Sequence, residues 1–153
     1  MQRVARARVT VEGRITGAIE RGLLVLLGAT HEDGEAQAVW LAGKLAGLRV
    51  FPDDDGRMNR DVREAGGAAL VVPQFTLYGD ARRGRRPDFT AAARPEVAEP
   101  LFERFCAALS VERVRVERGV FRAHMQVELL NDGPVTLMVE TPGGAGSPGA
   151  GGA

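Results

Sequence analysis

The chain has 153 residues, with twenty basic and twenty acidic side chains and a formal net charge of zero. That length suits one domain able to bury its own core, and the charge balance excludes an overall polycation or an acidic tail, so local charge has to be read instead. A single cysteine excludes an internal disulfide framework and fits a reducing compartment.

No apolar run approaches the roughly 20 residues that span a bilayer. The opening Met1-Gln2-Arg3-Val4-Ala5-Arg6-Ala7-Arg8 lacks the apolar stretch of a signal peptide, which points to the cytoplasm. Residues 2–11 read as a strand through Val4, Val9 and Val11; Glu12-Gly13-Arg14 is a turn signal, and Arg14–Ile19 a second strand. Gly22-Leu23-Leu24-Val25-Leu26-Leu27-Gly28 is a short continuous apolar run, the pattern of a buried central strand. A helix follows over about residues 35–46, with Ala38, Leu41, Ala42 and Leu45 at helical spacing, then a short strand over 48–51. Pro52-Asp53-Asp54-Asp55-Gly56 has its glycine at the wrong offset for a calcium loop and no closing glutamate at the twelfth position, so it reads as a polar turn without metal.

Ala68–Pro73 is a Val-rich strand ending in Gln74-Phe75-Thr76-Leu77, and a basic loop follows, Arg82-Arg83-Gly84-Arg85-Arg86-Pro87. The second helix starts at Pro95 or at Pro100; in the first case Pro100 falls inside it, at about 3 kcal/mol. Strands over about 111–116, 125–130 and 135–140 close the domain at residue 141, and 142–153, all Pro, Gly, Ala and Ser, read as a flexible tail. The order is a mixed α/β domain with mostly antiparallel sheet, not the regular alternation of a doubly wound nucleotide-binding fold. No dinucleotide or P-loop glycine motif occurs.

Side-chain chemistry is sparse. Cys106 reads as a buried inert thiol, His31 as a solvated loop residue, and neither serine stands in a nucleophile-elbow context. Thr76 lies at the end of a buried strand, where α/β domains place sites; it has no evident base, and backbone N–H groups there could hold a carbonyl or oxyanion instead. The arginines at 82, 83, 85 and 86 read either as a solvated loop or as phosphate contacts, with Arg3, Arg6 and Arg8 extending the basic surface. Asn131-Asp132-Gly133-Pro134 between two apolar runs reads by default as a hairpin turn. Its Gly-Pro pair, able to adopt a cis bond and lacking a Cβ at Gly133, would also present bare backbone that rejects a substituent by shape.

Gln74-Phe75-Thr76-Leu77 with Asn131-Asp132-Gly133-Pro134-Val135-Thr136 resemble the two signature motifs of D-aminoacyl-tRNA deacylases, and matching stretches run over about residues 1–140. The resemblance implies a three-layer β/β/α fold with two helices on one side and a homodimer that needs no cofactor. It also implies hydrolysis of the ester of D-aminoacyl-tRNA, and of glycine mischarged on tRNA. In that family the Gly-Pro pair is cis and enters the partner's pocket, where its backbone captures the substrate amino group and refuses an L side chain. The terminal 2′-hydroxyl of the tRNA assists the attacking water. Gln74, Phe75 and Thr76 would form the pocket, Arg3 would brace the Gly133-Pro134 loop, Met125 would pack behind it, and Arg82, Arg83, Arg85 and Arg86 would face the tRNA. One departure is Pro73, where the family carries serine; losing a hydroxyl and an N–H corresponds to about 0.5–1.5 kcal/mol per hydrogen bond, a weakening and not an abolition. A D-amino-acid or tRNA-end binding module without turnover, and a Thr76-dependent small-ester hydrolase, are the competing readings.

Overall fold

In the computed structural model, which describes residues 1–142, strand β1 (Gln2–Val11) is the hub of the sheet. It pairs antiparallel with β2 (Arg14–Ile19) over Ala7–Val11, with β3 (Gly22–Leu27) over Gln2–Val4, and along its other edge with β8 (Gln126–Thr136). Between β3 and β8 run α1 (Glu35–Gly47), β4 (Phe51–Pro52), β5 (Met58–Arg60), β6 (Ala68–Pro73), a 3-10 turn (Phe75–Tyr78), α2 (Pro95–Val111) and β7 (Arg115–Arg118). The sheet continues from β3 through β6 to β7 with parallel pairing, so a parallel half adjoins the antiparallel half built on β1. It curls until its ends meet. Gly17 of β2 crosses β7 so closely that a Cβ there would come within 2.6 Å of the Arg118 carbonyl oxygen.

The period-2 alternation of strands sorts the apolar residues into two cores. Leu24, Leu70 and Val72 point inside the curl with Val4, Ala7 and Val9 of β1. Leu23, Val25, Ala69 and Val71 point out, against Ala42 and Leu45 of α1 and Phe102, Phe105 and Leu109 of α2. Both helices therefore cover one side, which gives the expected three layers. No helix among the described residues is long and apolar enough to cross a membrane.

Several expected boundaries are corrected. The two strands over 125–130 and 135–140 are one, β8, which runs through Asn131-Asp132-Gly133-Pro134 without reversing; residues 137–140 are not strand. Turn residues suggested a hairpin, but β1 offers a partner on both sides of them. The strand expected over 48–51 is only Phe51–Pro52, paired with β5, which lies in a stretch too polar to signal a strand. That pair is turned by Asp53, whose carboxylate accepts from the N–H groups of Asp55 and Arg57 and from Asn59. The strand expected over 111–116 starts at Arg115, because α2 runs on to Val111. At its other end α2 begins at Pro95, and Pro100 sits inside it. Of the tail expected over 142–153, residues 143–153 lie outside the described part.

Candidate active site

Two buried strands ending side by side create the site. Leu27 of β3 and Pro73 of β6 are in register, and the Gln74 N–H donates to the Leu27 carbonyl at 2.8 Å. The chain then tightens into the 3-10 turn, with Leu77 N–H donating to Gln74 O and Gly79 N–H to Thr76 O. The first N–H groups of a helical turn have no partner within it. Those of Phe75 and Thr76 find no acceptor among the described residues. The Thr76 hydroxyl accepts a short hydrogen bond from the Gln74 amide, so its neighbour is a donor and not a base.

Beside this turn opens a cavity of about 770 Å³. Pro73, Gln74, Phe75 and Tyr78 form one wall, Gln37 and Leu41 of α1 with Ala98 and Phe102 of α2 another, and Phe121, His124 and Met125 close it. The size and the mainly apolar walls suit a small organic group held by a few polar contacts. Burial raises the Tyr78 phenol above its ordinary value, and the carboxylates of Asp33 and Glu140 add to the shift, so it is a neutral hydrogen-bonding group there. Cys106 lies on α2, fully buried, with burial pushing its thiol up to about 11; the inert reading holds. His31 is exposed, as expected, with Nε2 at 2.6 Å from the Thr90 carbonyl.

The Gly133-Pro134 segment stands elsewhere. Gln2 pairs with Thr136 and Val4 with Asn131, so two steps along β1 face five along β8, and the surplus bulges outward. The Asn131 side chain ties the bulge at its base. Its Oδ1 accepts from Val135 N–H at 2.8 Å, and its Nδ2 donates to Val135 O, Gln2 Oε1 and Thr136 Oγ1. The Gly133-Pro134 bond is cis and Gly133 has φ +151°. Asp132, Gly133 and Pro134 are exposed, while Val135 is buried. Arg3, directly opposite, donates from Nε to the Asp132 carbonyl (2.7 Å) and from Nη1 to the Val50 carbonyl (2.6 Å).

Of the residues singled out in the sequence, Pro73, Gln74, Phe75 and Met125 thus line the cavity, and Thr76 is on the turn beside it. Gly133, Pro134 and Arg3 do not line it. Met125 packs on Gly119 and takes the Val120 N–H on its sulfur at 3.4 Å, at the opposite end of β8 from this chain's own bulge. The basic loop is pinned by paired backbone bonds between Asp80 and Asp88. Within it Arg82 forks onto the Asp80 carboxylate, holding that acid well below its usual range, while Arg83, Arg85 and Arg86 are exposed without a carboxylate partner among the described residues. Tyr78, Phe121 and the α1 wall escaped sequence reasoning, since no local pattern distinguishes them from core or loop; His124 had only its place beside Met125 to mark it.

Comparison with known proteins supplies the context. The family model described as D-Tyr-tRNA(Tyr) deacylase matches residues 1–140. A D-aminoacyl-tRNA deacylase of Symbiobacterium thermophilum is 60% identical over 141 residues, covering 92% of this chain and 93% of that protein. One of Koribacter versatilis is 59% identical, over 92% and 95% of the two chains. Among solved structures, one titled c-Myc DNA Unwinding Element Binding Protein superposes with TM-score 0.85 at 40% identity, over 92% and 96%. A probable eukaryotic D-amino acid tRNA deacylase, at 18% identity and TM-score 0.74 over 87% and 92%, shares the fold.

Proposed function

This chain belongs to the D-Tyr-tRNA(Tyr) deacylase family, and from that premise we propose that it is a cytoplasmic editing hydrolase that cleaves the ester between a D-amino acid and the terminal adenosine of tRNA. The observation that carries the reading is the turn at Phe75 and Thr76. It sets two backbone N–H groups, without an acceptor among the described residues, beside the cavity, and the Thr76 hydroxyl next to them faces an amide and not a base. Such donors stabilise the oxyanion that forms as water adds to the ester carbonyl. The bond to the ribose 3′-oxygen then breaks, the proton from water ends on that oxygen, and free amino acid and tRNA leave. With no side-chain base at Thr76, the 2′-hydroxyl of the terminal ribose assists the water.

Selectivity falls to Gly133 and Pro134, supplied by a second copy of the chain. They project from a bulge outside their own cavity, and exposed apolar residues flank them: Leu129, Leu130, Leu137 and Met138. Pairing two copies over this apolar strip would carry each bulge to the other's cavity, toward Met125, with Arg3 bracing it from behind. Bare backbone there leaves no room for an L side chain. Glycine has no side chain to refuse, so the same filter passes glycyl-tRNA, including glycine mischarged on tRNA-Ala.

The test is single-turnover deacylation of D-tyrosyl-tRNA and L-tyrosyl-tRNA, with the oligomeric state measured by sedimentation. The expected result is a dimer that strips the D-ester and spares the L-ester. Equal rates on both esters would rule out the filter, and loss of neither ester from a folded dimer would rule out the hydrolase in favour of a binding module.

A further inference from the structure

The cavity lining includes a pair of exposed aromatic rings that neither buried cluster uses. Phe75 is 58% exposed and Phe89 38%, and the rings meet edge to face with centroids 5.3 Å apart; Leu77 beside them is 42% exposed. Single exposed apolar residues need no explanation, but a cluster containing two phenylalanines does. The platform is also rigid. The Phe89 ring rests directly on the Gly79 backbone, where a Cβ would come within 2.8 Å of Cε1. Its neighbours are fixed as well: Asp88 by the paired bonds to Asp80, and Thr90 by its N–H to Asp88 Oδ1 and its carbonyl to His31 Nε2. One residue before Asp88 the basic loop ends, with Arg83, Arg85 and Arg86 free to meet an anion and Arg82 engaged by Asp80.

We propose that Phe89, edge to face with Phe75, is a stacking platform for an unpaired base of the tRNA acceptor end, just upstream of the terminal adenosine, and that Arg83, Arg85 and Arg86 hold the phosphates of that single strand while Arg82 only shapes the loop. Aromatic faces beside a basic track are the general means of gripping a single strand without reading its sequence. The placement fits. Phe75 opens the turn proposed to hold the ester carbonyl, its ring meets that of Phe89, and Phe89 follows the basic loop closely in the chain. The inference rests on the reading of the substrate as tRNA but not on turnover.

Binding is therefore measured directly, with the intact protein and a labelled RNA stem-loop ending in single-stranded CCA, across a salt series. Phe89→Leu keeps the apolar packing on Phe75 and should weaken binding; Phe89→Ala should weaken it by about five- to 150-fold, and Phe89→Trp should restore it. Replacing Arg83, Arg85 and Arg86 together by Gln should flatten the slope of log affinity against log salt by about two, near 0.7 per phosphate. Deacylation of D-tyrosyl-adenosine, which lacks upstream nucleotides, should fall less in Phe89→Leu than deacylation of the full tRNA ester, since Phe89 also lines the cavity. Wild-type affinity in Phe89→Leu and Phe89→Ala would overturn the proposal, as would equal loss on D-tyrosyl-adenosine, which would make Phe89 a prop for Phe75. A wild-type protein that binds the RNA as described but hydrolyses nothing would leave this inference standing and remove the hydrolase reading.

Discussion

Replacing Arg3 by Gln removes the two hydrogen bonds that tie the bulge of β8 to the body of the protein. One runs to the Asp132 carbonyl at 2.7 Å, the other to the Val50 carbonyl at 2.6 Å. A hydrogen bond from a charged donor contributes about 1.5–3 kcal/mol when well buried, and a neutral one about 0.5–1.5. Arg3 is only partly buried, so the lower range applies and the pair together stabilises by about 2 kcal/mol. In a domain of this size that lowers Tm by roughly 4–8 °C. The effect on function should be uneven. Asn131 still ties the base of the bulge, so the strand keeps its register, but its tip loses its rear support. Thermal melting and parallel deacylation of D- and L-tyrosyl-tRNA report the two consequences. Expected are a lower Tm and a faster L-reaction relative to the D-reaction. An unchanged Tm together with an unchanged D/L ratio would refute the view that this guanidinium braces the filter.

Thr76→Ala removes a hydroxyl whose hydrogen-bond partner among the described residues is the Gln74 amide, so single-turnover deacylation should stay within about tenfold of wild type; loss beyond a thousandfold would make the hydroxyl a nucleophile. Cys106, with its thiol pushed up to about 11 and no exposure, should resist a thiol reagent at pH 8 until the protein is unfolded; rapid native-state labelling would contradict the burial. Asp61 accepts from Arg63 and from the Glu64 N–H, and the Arg63 hydrogen bond lowers its pKa below the ordinary 3.8. A depressed folded-state value gives stability that is present above about 3.8 and lost as pH falls through the folded value. Urea unfolding should therefore lose more stability below pH 4 in wild type than in Asp61→Asn, and parallel curves would argue against the linkage.

How much of this was legible in the sequence depends on whether a residue's partner is local. The apolar runs at 22–28 and 68–73 announced buried strands, because burial on both faces leaves no alternation to hide it. The two signature motifs were visible as residues. Their separation was implied only by the family resemblance and not by the residues themselves: Phe75 lies at the cavity and Gly133 outside it, a fact set by how β8 runs along β1. Local turn chemistry at Asn131–Pro134 argued for a reversal, and long-range pairing with Gln2 and Val4 prevailed. Likewise α2 tolerates Pro100 because Phe102, Phe105 and Leu109 bury a face against the sheet, which offsets one missing hydrogen bond. In the basic loop the sequence offered four equivalent arginines, and only the Asp80 carboxylate set Arg82 apart.

The pairing of β1 with β8 also imposes a schedule on synthesis. Thr10 has its antiparallel partner at Gln126 and Gln2 at Thr136, so one edge of β1 is completed by a strand made more than a hundred residues later. At roughly 5–20 residues per second that edge stays open for roughly 6–23 s as the nascent chain lengthens. During that interval β1 can settle only on β2 and β3, which are made soon after it. An open strand edge invites pairing with other chains, and charged side chains along it are a usual deterrent. Arg6 and Arg8, exposed among the inward-facing Val4, Ala7 and Val9, stand where that deterrent is needed; in the finished fold Arg8 passes to an ion pair with Glu128 of the arriving strand. The basic residues of β1 thus guard a vacancy that only the arrival of β8 fills.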